Sequence, residues 1–193
     1  MKYTIVINRE YGSGGRLIGR KLASRLGIPF YDNDLIRLTA EKSGFSEEYV
    51  KEASEKKTTS LLYSLYMTSL PVSDQLFLAQ SQVVRDLAAK ESCVIVGGCA
   101  DYVLKDIRGL VKVFIHAPIN DRIQRVRDEY NETSGDYKNY VTRMDKRRIT
   151  YYRYFTQYKW GRAHDYNITL DSTAGPDTCA EIIECYIKTF LKF

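Results

Sequence analysis

The sequence predicts an α/β fold: three layers, with a five-stranded parallel sheet flanked by helices. Three observations carry that reading. Continuous apolar runs at Tyr3-Thr4-Ile5-Val6-Ile7, Cys93-Val94-Ile95-Val96 and Leu110-Val111-Lys112-Val113-Phe114-Ile115 have the length and composition of strands buried on both faces. Segments of helical spacing alternate with them, as right-handed βαβ units require. Glycines or aspartates follow three strand ends, at Gly12 to Gly15, at Asp32 and Asp34, and at Gly97-Gly98 with Asp101. The carboxyl edge of such a sheet is where ligands bind.

The first strand runs into Glu10-Tyr11-Gly12-Ser13-Gly14-Gly15-Arg16-Leu17-Ile18-Gly19. Over Leu17 to Leu26, Ile18, Leu22 and Leu26 recur every four residues and form one helix face. Strand, glycine turn, helix is the context for a phosphate-binding loop. Glycines allow positive φ and close backbone approach, and the helix N-terminus adds positive potential. Arg16 at that end is electrostatically misplaced unless an anion joins it. The pattern G-x-x-x-x-G-K-[ST] is met only in part: Glu10 replaces its first glycine, Arg16 its lysine and Leu17 its hydroxyl residue. The competing reading is a glycine turn that only packs.

Gly27 reads as a helix C-cap with Pro29 beyond it, and Ile28 to Tyr31 as a second short strand. Asp32-Asn33-Asp34 then precedes a helical stretch from Leu35 to Ala40. These residues either cap the helix or present carboxylates to Mg²⁺ or substrate. Ser46, followed by Glu47 and Glu48, starts another helix, and residues 56–72 are ambiguous up to Pro71. Ser73 is the expected cap of a helix from Asp74 to Lys90, with Leu76, Val83, Val84 and Leu87 inward. The 46–90 block is a helical insertion. It either walls a cleft or, through its aromatics, makes a homodimer surface.

Asp101 opens a short helix to Leu104, as a cap or as a ligand group. A helix is expected from Asn120 to Tyr130, then a polar break at 131–136. Tyr140 to Phe155 is helical in propensity and strongly basic, with Arg143 and Arg147 one turn apart. It suits a solvated face, an arginine clamp on phosphates, or a Tyr/Arg platform for single-stranded nucleic acid. A loop holds Trp160-Gly161-Arg162. Tyr166 to Leu170 is the fifth strand, and Pro176 opens the last helix.

Composition narrows the function. The 193 residues are 44% hydrophobic and 27% charged, ordinary values for one globular domain spanning 1–193. No 18-residue apolar run and no signal-peptide pattern occurs, so a cytoplasmic protein without a membrane partner is expected. Cys93, Cys99, Cys179 and Cys185 form no C-x-x-C pair and are expected to be reduced. A net charge of +5 suits an anionic small molecule without requiring nucleic acid.

Taken in order, these segments carry a resemblance. Arg9 to Arg16, Pro29-Phe30-Tyr31-Asp32 with Leu35-Ile36, Val94 to Leu104, Asp145-Lys146-Arg147-Arg148 followed by Tyr151-Tyr152, and the Tyr166 to Ser172 strand resemble the cytidylate kinase-like family. That family is a branch of the P-loop nucleoside monophosphate kinases, and the resemblance covers nearly the whole chain. It implies a P-loop kinase fold with a helical monophosphate-binding region over 34–90 and a lid-like segment over 131–163. ATP and Mg²⁺ would be the cofactors. Gly12, Ser13, Gly14, Gly15 and Arg16 would cradle the ATP phosphates, Arg16 standing in for lysine. Asp32, Asp34, Arg37, Gly98 and Asp101 would lie on the substrate side, and Arg143, Arg147, Arg148 and Arg153 would be lid arginines. The chain also departs from the pattern. No hydroxyl follows Arg16, so Ser13, Asp32 or a water would have to meet the metal, and Gly98 stands where an arginine is expected.

The implied activity is an ATP-dependent phosphotransferase acting on a nucleoside monophosphate such as CMP, or on another small metabolite. The alternative is a nucleotide-binding module that has lost catalysis and acts as a sensor or partner protein.

Overall fold

The computed structural model describes residues 2–48, 50–51, 71–130 and 134–190. Strands β1 (Thr4–Arg9), β2 (Phe30–Tyr31), β3 (Cys93–Val96), β4 (Leu110–His116) and β5 (Ile168–Asp171) form one sheet in the order β2-β3-β1-β4-β5. Every pairing is parallel. Helices α1 (Gly15–Leu26), α2 (Asn33–Ser43), α3 (Val72–Lys90), α4 (Ala100–Val103), α5 (Ile119–Glu129), α6 (Tyr137–Thr156) and α7 (Pro176–Phe190) surround it.

The period-two alternation of β1 sets the layers. Ile5 and Ile7 point into a cluster with Ile18 and Leu22 of α1 and Ile183 and Ile187 of α7. Val6 points the other way, toward Leu35 of α2 and Val83 and Val84 of α3. Ile5, Val6 and Ile7 are at most 1% exposed, as a central strand covered on both faces must be.

Several boundaries differ from the sequence expectation. β1 extends past Ile7 because Asn8 and Arg9 pair with Phe114 and Ile115 of β4. This extension carries Arg9 to the carboxyl edge. Ser73 does not cap α3. The helix begins at Val72 after Pro71, and the Ser73 hydroxyl donates instead to Asp74 at 3.2 Å. Asp101 does not cap its helix either, because it lies inside α4, whose N-cap is Cys99. α6 is longer than expected and is capped by Asp136, which accepts the Asn139 N–H at 3.0 Å. Gly27 does close α1, at φ 63 with its N–H on the Ala23 and Ser24 carbonyls.

Tyr63, Tyr66 and Met67, and with them the dimer surface considered for that stretch, lie outside the described residues. All four cysteines are free thiols. No described helix is long and apolar enough to cross a membrane.

Candidate active site

The loop between β1 and α1 requires its glycines. Gly12 sits at φ +80, and a Cβ there would lie 2.7 Å from the Arg122 carbonyl. Gly14, at φ 76, is the left-handed N-cap of α1. A Cβ on Gly15 would meet the Arg9 Cβ at 2.6 Å. Ser13 is fully buried. Its hydroxyl lies 2.9 Å from the Glu10 carbonyl and 3.2 Å from that of Ile115, so it fastens the loop to β4 and its proton is committed to backbone carbonyls.

A charged network braces this loop from the side of α5 and α6. Asp145 of α6 accepts the Tyr11 N–H at 2.7 Å and takes Arg122 of α5 on its other oxygen. Arg122 also reaches the Tyr11 carbonyl at 3.3 Å and approaches Glu10 at 3.5 Å. Glu10 in turn accepts the Ala117 N–H at 3.1 Å. Arg125 donates to the Gly12 carbonyl at 2.8 Å. Loop, α5 and α6 thus form one hydrogen-bonded unit.

Beside the loop, at the carboxyl ends of β1 and β3, lies a cavity of about 160 Å³. Leu35 and Ile36 of α2, Val96 and Trp160 give it apolar walls, and Gln80 of α3 gives it an amide. Arg9, Arg147 and Arg148 line it, against Asp32 as the acidic group. That carboxylate is already held by Arg16, whose Nε lies 2.5 Å away, while Arg9 stands at 4.0 Å. Arg148 donates to the Arg9 carbonyl at 2.9 Å and stacks over the Tyr11 ring at 5.1 Å.

The balance of charge is therefore unfinished. Burial pulls the Arg148 guanidinium down to about 9, helped by repulsion from Arg9. Burial also lowers Arg9, against the pull of Asp32. Among the described residues, two half-buried cations thus share little negative charge, an arrangement that favours an arriving anion.

The structure sorts the residues expected from sequence. Gly12, Gly14, Gly15, Arg16, Asp32, Gly98, Arg147 and Arg148 gather at the loop and cavity. Gly98 is followed by Cys99 at φ 51, and a Cβ on Gly98 would touch the Gln80 side chain at 3.4 Å. Asp34 and Arg37 are not brought in. Both are exposed on α2, where Arg37 pairs with Asp34 at 3.9 Å and Glu41 at 2.5 Å. Arg143 is exposed over the Tyr140 ring, and Arg153 is exposed near the end of α6. Asp101 lies 4% exposed behind the cavity wall, with its carboxylate accepting the Tyr152 hydroxyl at 2.7 Å. Burial raises its pKa.

Sequence reasoning missed Arg9, Gln80, Arg122 and Arg125. The first carried a signal: a charged residue ending an apolar strand directly before a glycine loop. The others are unremarkable charges or amides on helices until the fold aims them.

The described residues do not form a protein cage for Mg²⁺. The Ser13 hydroxyl is committed to backbone carbonyls and Asp32 to Arg16, and no cluster of three metal-ligating side chains occurs among the described residues. Mg²⁺ held mainly by nucleotide phosphates and water needs no such cage.

Parallel β2-β3-β1-β4-β5 order, a glycine loop leading into α1 and a basic helix folded over it define the chain as a P-loop kinase-type protein. It belongs to the cytidylate kinase-like family, whose model matches residues 4–174. Solved structures agree on the fold. An uncharacterized protein from Eubacterium ventriosum is 27% identical over 97% of this chain and 99% of that one, with a TM-score of 0.72. A shikimate kinase from Acinetobacter baumannii, in complex with shikimate, is 18% identical over 100% and 94%, at 0.59. A gluconokinase from Sinorhizobium meliloti is 14% identical over 97% and 93%, at 0.61. No curated protein matches the sequence.

Proposed function

We propose that the protein transfers the γ-phosphoryl group of ATP to a small anionic acceptor, a nucleoside monophosphate such as CMP or another small metabolite. The observation that carries this is the juxtaposition of the glycine loop with a cavity in which Arg9, Arg147 and Arg148 outnumber Asp32. The loop amides and the N-terminus of α1 would take the ATP phosphates. The cavity would take the acceptor. Arg147 and Arg148, on the cavity wall, would hold the reacting groups in line and offset charge on the transferring phosphoryl oxygens. Removing one such contact typically lowers kcat by about 100- to 1,000-fold. No step here needs a covalent intermediate on the protein.

The test is ADP release from ATP and Mg²⁺ against a panel of nucleoside monophosphates, hydroxy acids and sugar acids. Acceptor-dependent release supports the reading. ATP binding without turnover on any acceptor supports the second reading, a nucleotide-binding module. That alternative is favoured by the absence of a hydroxyl after Arg16 and by the burial of the Ser13 hydroxyl.

A further inference from the structure

We infer that Arg16 and Asp32 form an exchangeable pair. Nucleotide phosphates draw Arg16 off Asp32, and the released carboxylate then takes the proton of a hydroxyl acceptor. The inference rests on the phosphotransferase reading and narrows its acceptor to an alcohol that also carries an anionic group.

The geometry supplies the parts. Arg16 is the second residue of α1, where the loop's cation must act on phosphate, yet its Nε lies 2.5 Å from Asp32 Oδ2. Arg16 is 48% exposed in its side chain while Asp32 is only 12% exposed. The arginine is therefore the partner free to move. Asp32 does not cap α2, although it occupies the N-cap position, so its carboxylate has no backbone duty to hold it. Asp32 also lines the cavity, and is the one acidic group among its described lining residues.

That last point decides the acceptor. A phosphate nucleophile approaching the loop beside a carboxylate meets like charge. A hydroxyl meets a hydrogen-bond acceptor and a base. The anionic part of the same molecule has Arg9, Arg147 and Arg148 to sit against. In the step, the acceptor O–H bond breaks and its proton passes to an Asp32 carboxylate oxygen. The acceptor oxygen forms a bond to the γ-phosphorus. The bond from that phosphorus to the β–γ bridging oxygen breaks, and its electron pair leaves with ADP.

The exchange predicts a particular double-mutant cycle. ATP binding is measured by calorimetry, with and without Mg²⁺, for wild type, Asp32→Asn, Arg16→Met and the double variant, each first checked for a cooperative melt. If Asp32 competes for Arg16, Asp32→Asn tightens ATP by about threefold to tenfold. In the Arg16→Met background the same change has no effect. Tightening that persists without Arg16 reflects general charge repulsion and overturns the exchange. Weakening seen only with Mg²⁺ makes Asp32 a metal ligand and overturns it too. If Asp32→Asn does not melt cooperatively, Asp32→Ser takes its place in the cycle.

Product linkage tests the acceptor class. Phosphorus NMR of reactions with CMP, UMP, glycerol 3-phosphate, D-gluconate and shikimate is expected to show a new phosphomonoester, lost in Asp32→Asn. A phosphoanhydride product, or no product with any of the five, overturns the base assignment. Wild type that binds no ATP fails the phosphotransferase reading itself. Wild-type binding with a flat cycle fails only the exchange.

Discussion

The carboxylate of Asp145 accepts the backbone N–H of Tyr11 at 2.7 Å, so the basic helix α6 is anchored on the glycine loop itself. Its second oxygen meets Arg122, a side chain only 10% exposed. Removing the carboxylate leaves that cation only the longer approach to Glu10 at 3.5 Å and the Tyr11 carbonyl, a loss of about 3 kcal/mol. Asp145→Ala is expected to lower Tm by roughly 6 °C or more, at about 2–4 °C per kcal/mol for a chain of this size. Asp145→Asn keeps an acceptor for Tyr11 and should lose less. Thermal denaturation of the two variants side by side checks the order.

The glycine loop makes a sharper claim about single atoms. Gly15→Ala puts a methyl 2.6 Å from the Arg9 Cβ, which belongs to a half-buried residue held by its pairing with β4. Gly135→Ala has nothing within 4 Å. We expect the first to destabilise by about 1–3 kcal/mol and to weaken ATP binding, and the second to change neither. A urea titration and an ATP titration of both variants decide it.

Core packing gives a third expectation. Ile7 is fully buried between α1 and α7 on the central strand. Ile7→Ala should therefore lose about 2–5 kcal/mol. Leu78→Ala, at a position 55% exposed, should lose well under 1 kcal/mol. Chemical denaturation midpoints compare them.

Arg148 gives a pH signature. Its folded pKa of about 9 lies below the ordinary arginine value, because burial and Arg9 disfavour the charge. The unfolded chain therefore holds this proton more tightly. The group's destabilising contribution is present below pH 9 and is relieved as pH rises through that value. A bound anion reverses the preference and holds the proton on. Sulfate, an anion that does not itself titrate in this range, should thus bind the cavity progressively more weakly from about pH 8 to about pH 10. The fall should be shallower in Arg148→Met, and calorimetry across that range reads it.

How much of this was legible in the sequence depends on the range of the interaction. The strands and the glycine loop are local patterns, and the alternation of Ile5, Val6 and Ile7 alone assigns the two faces of the sheet. The placement of ligand-bearing residues on one edge follows from parallel topology, so Asp32 and Gly98 could be expected beside the loop. What the sequence could not separate was one arginine of α6 from another. Arg143, Arg147, Arg148 and Arg153 share a helix, but its rotation about its own axis is set by Asp145, Met144 and Tyr152, which pack inward. That rotation turns Arg147 and Arg148 to the cavity and leaves Arg143 and Arg153 in solvent. Arg37 likewise misses the cavity by one helical step, since Leu35 and Ile36 face it and Arg37 pairs with Glu41.

The measurement that tests the central claim most directly is a paired one on Arg148→Met. ATP affinity and acceptor-dependent ADP release are determined on the same preparation. If the loop binds nucleotide and the cavity serves the acceptor and the transferring group, ATP affinity stays within about threefold, while turnover falls by about 100-fold or more. Equal loss of both, or retention of both, would contradict the division of the site into a nucleotide loop and an acceptor cavity.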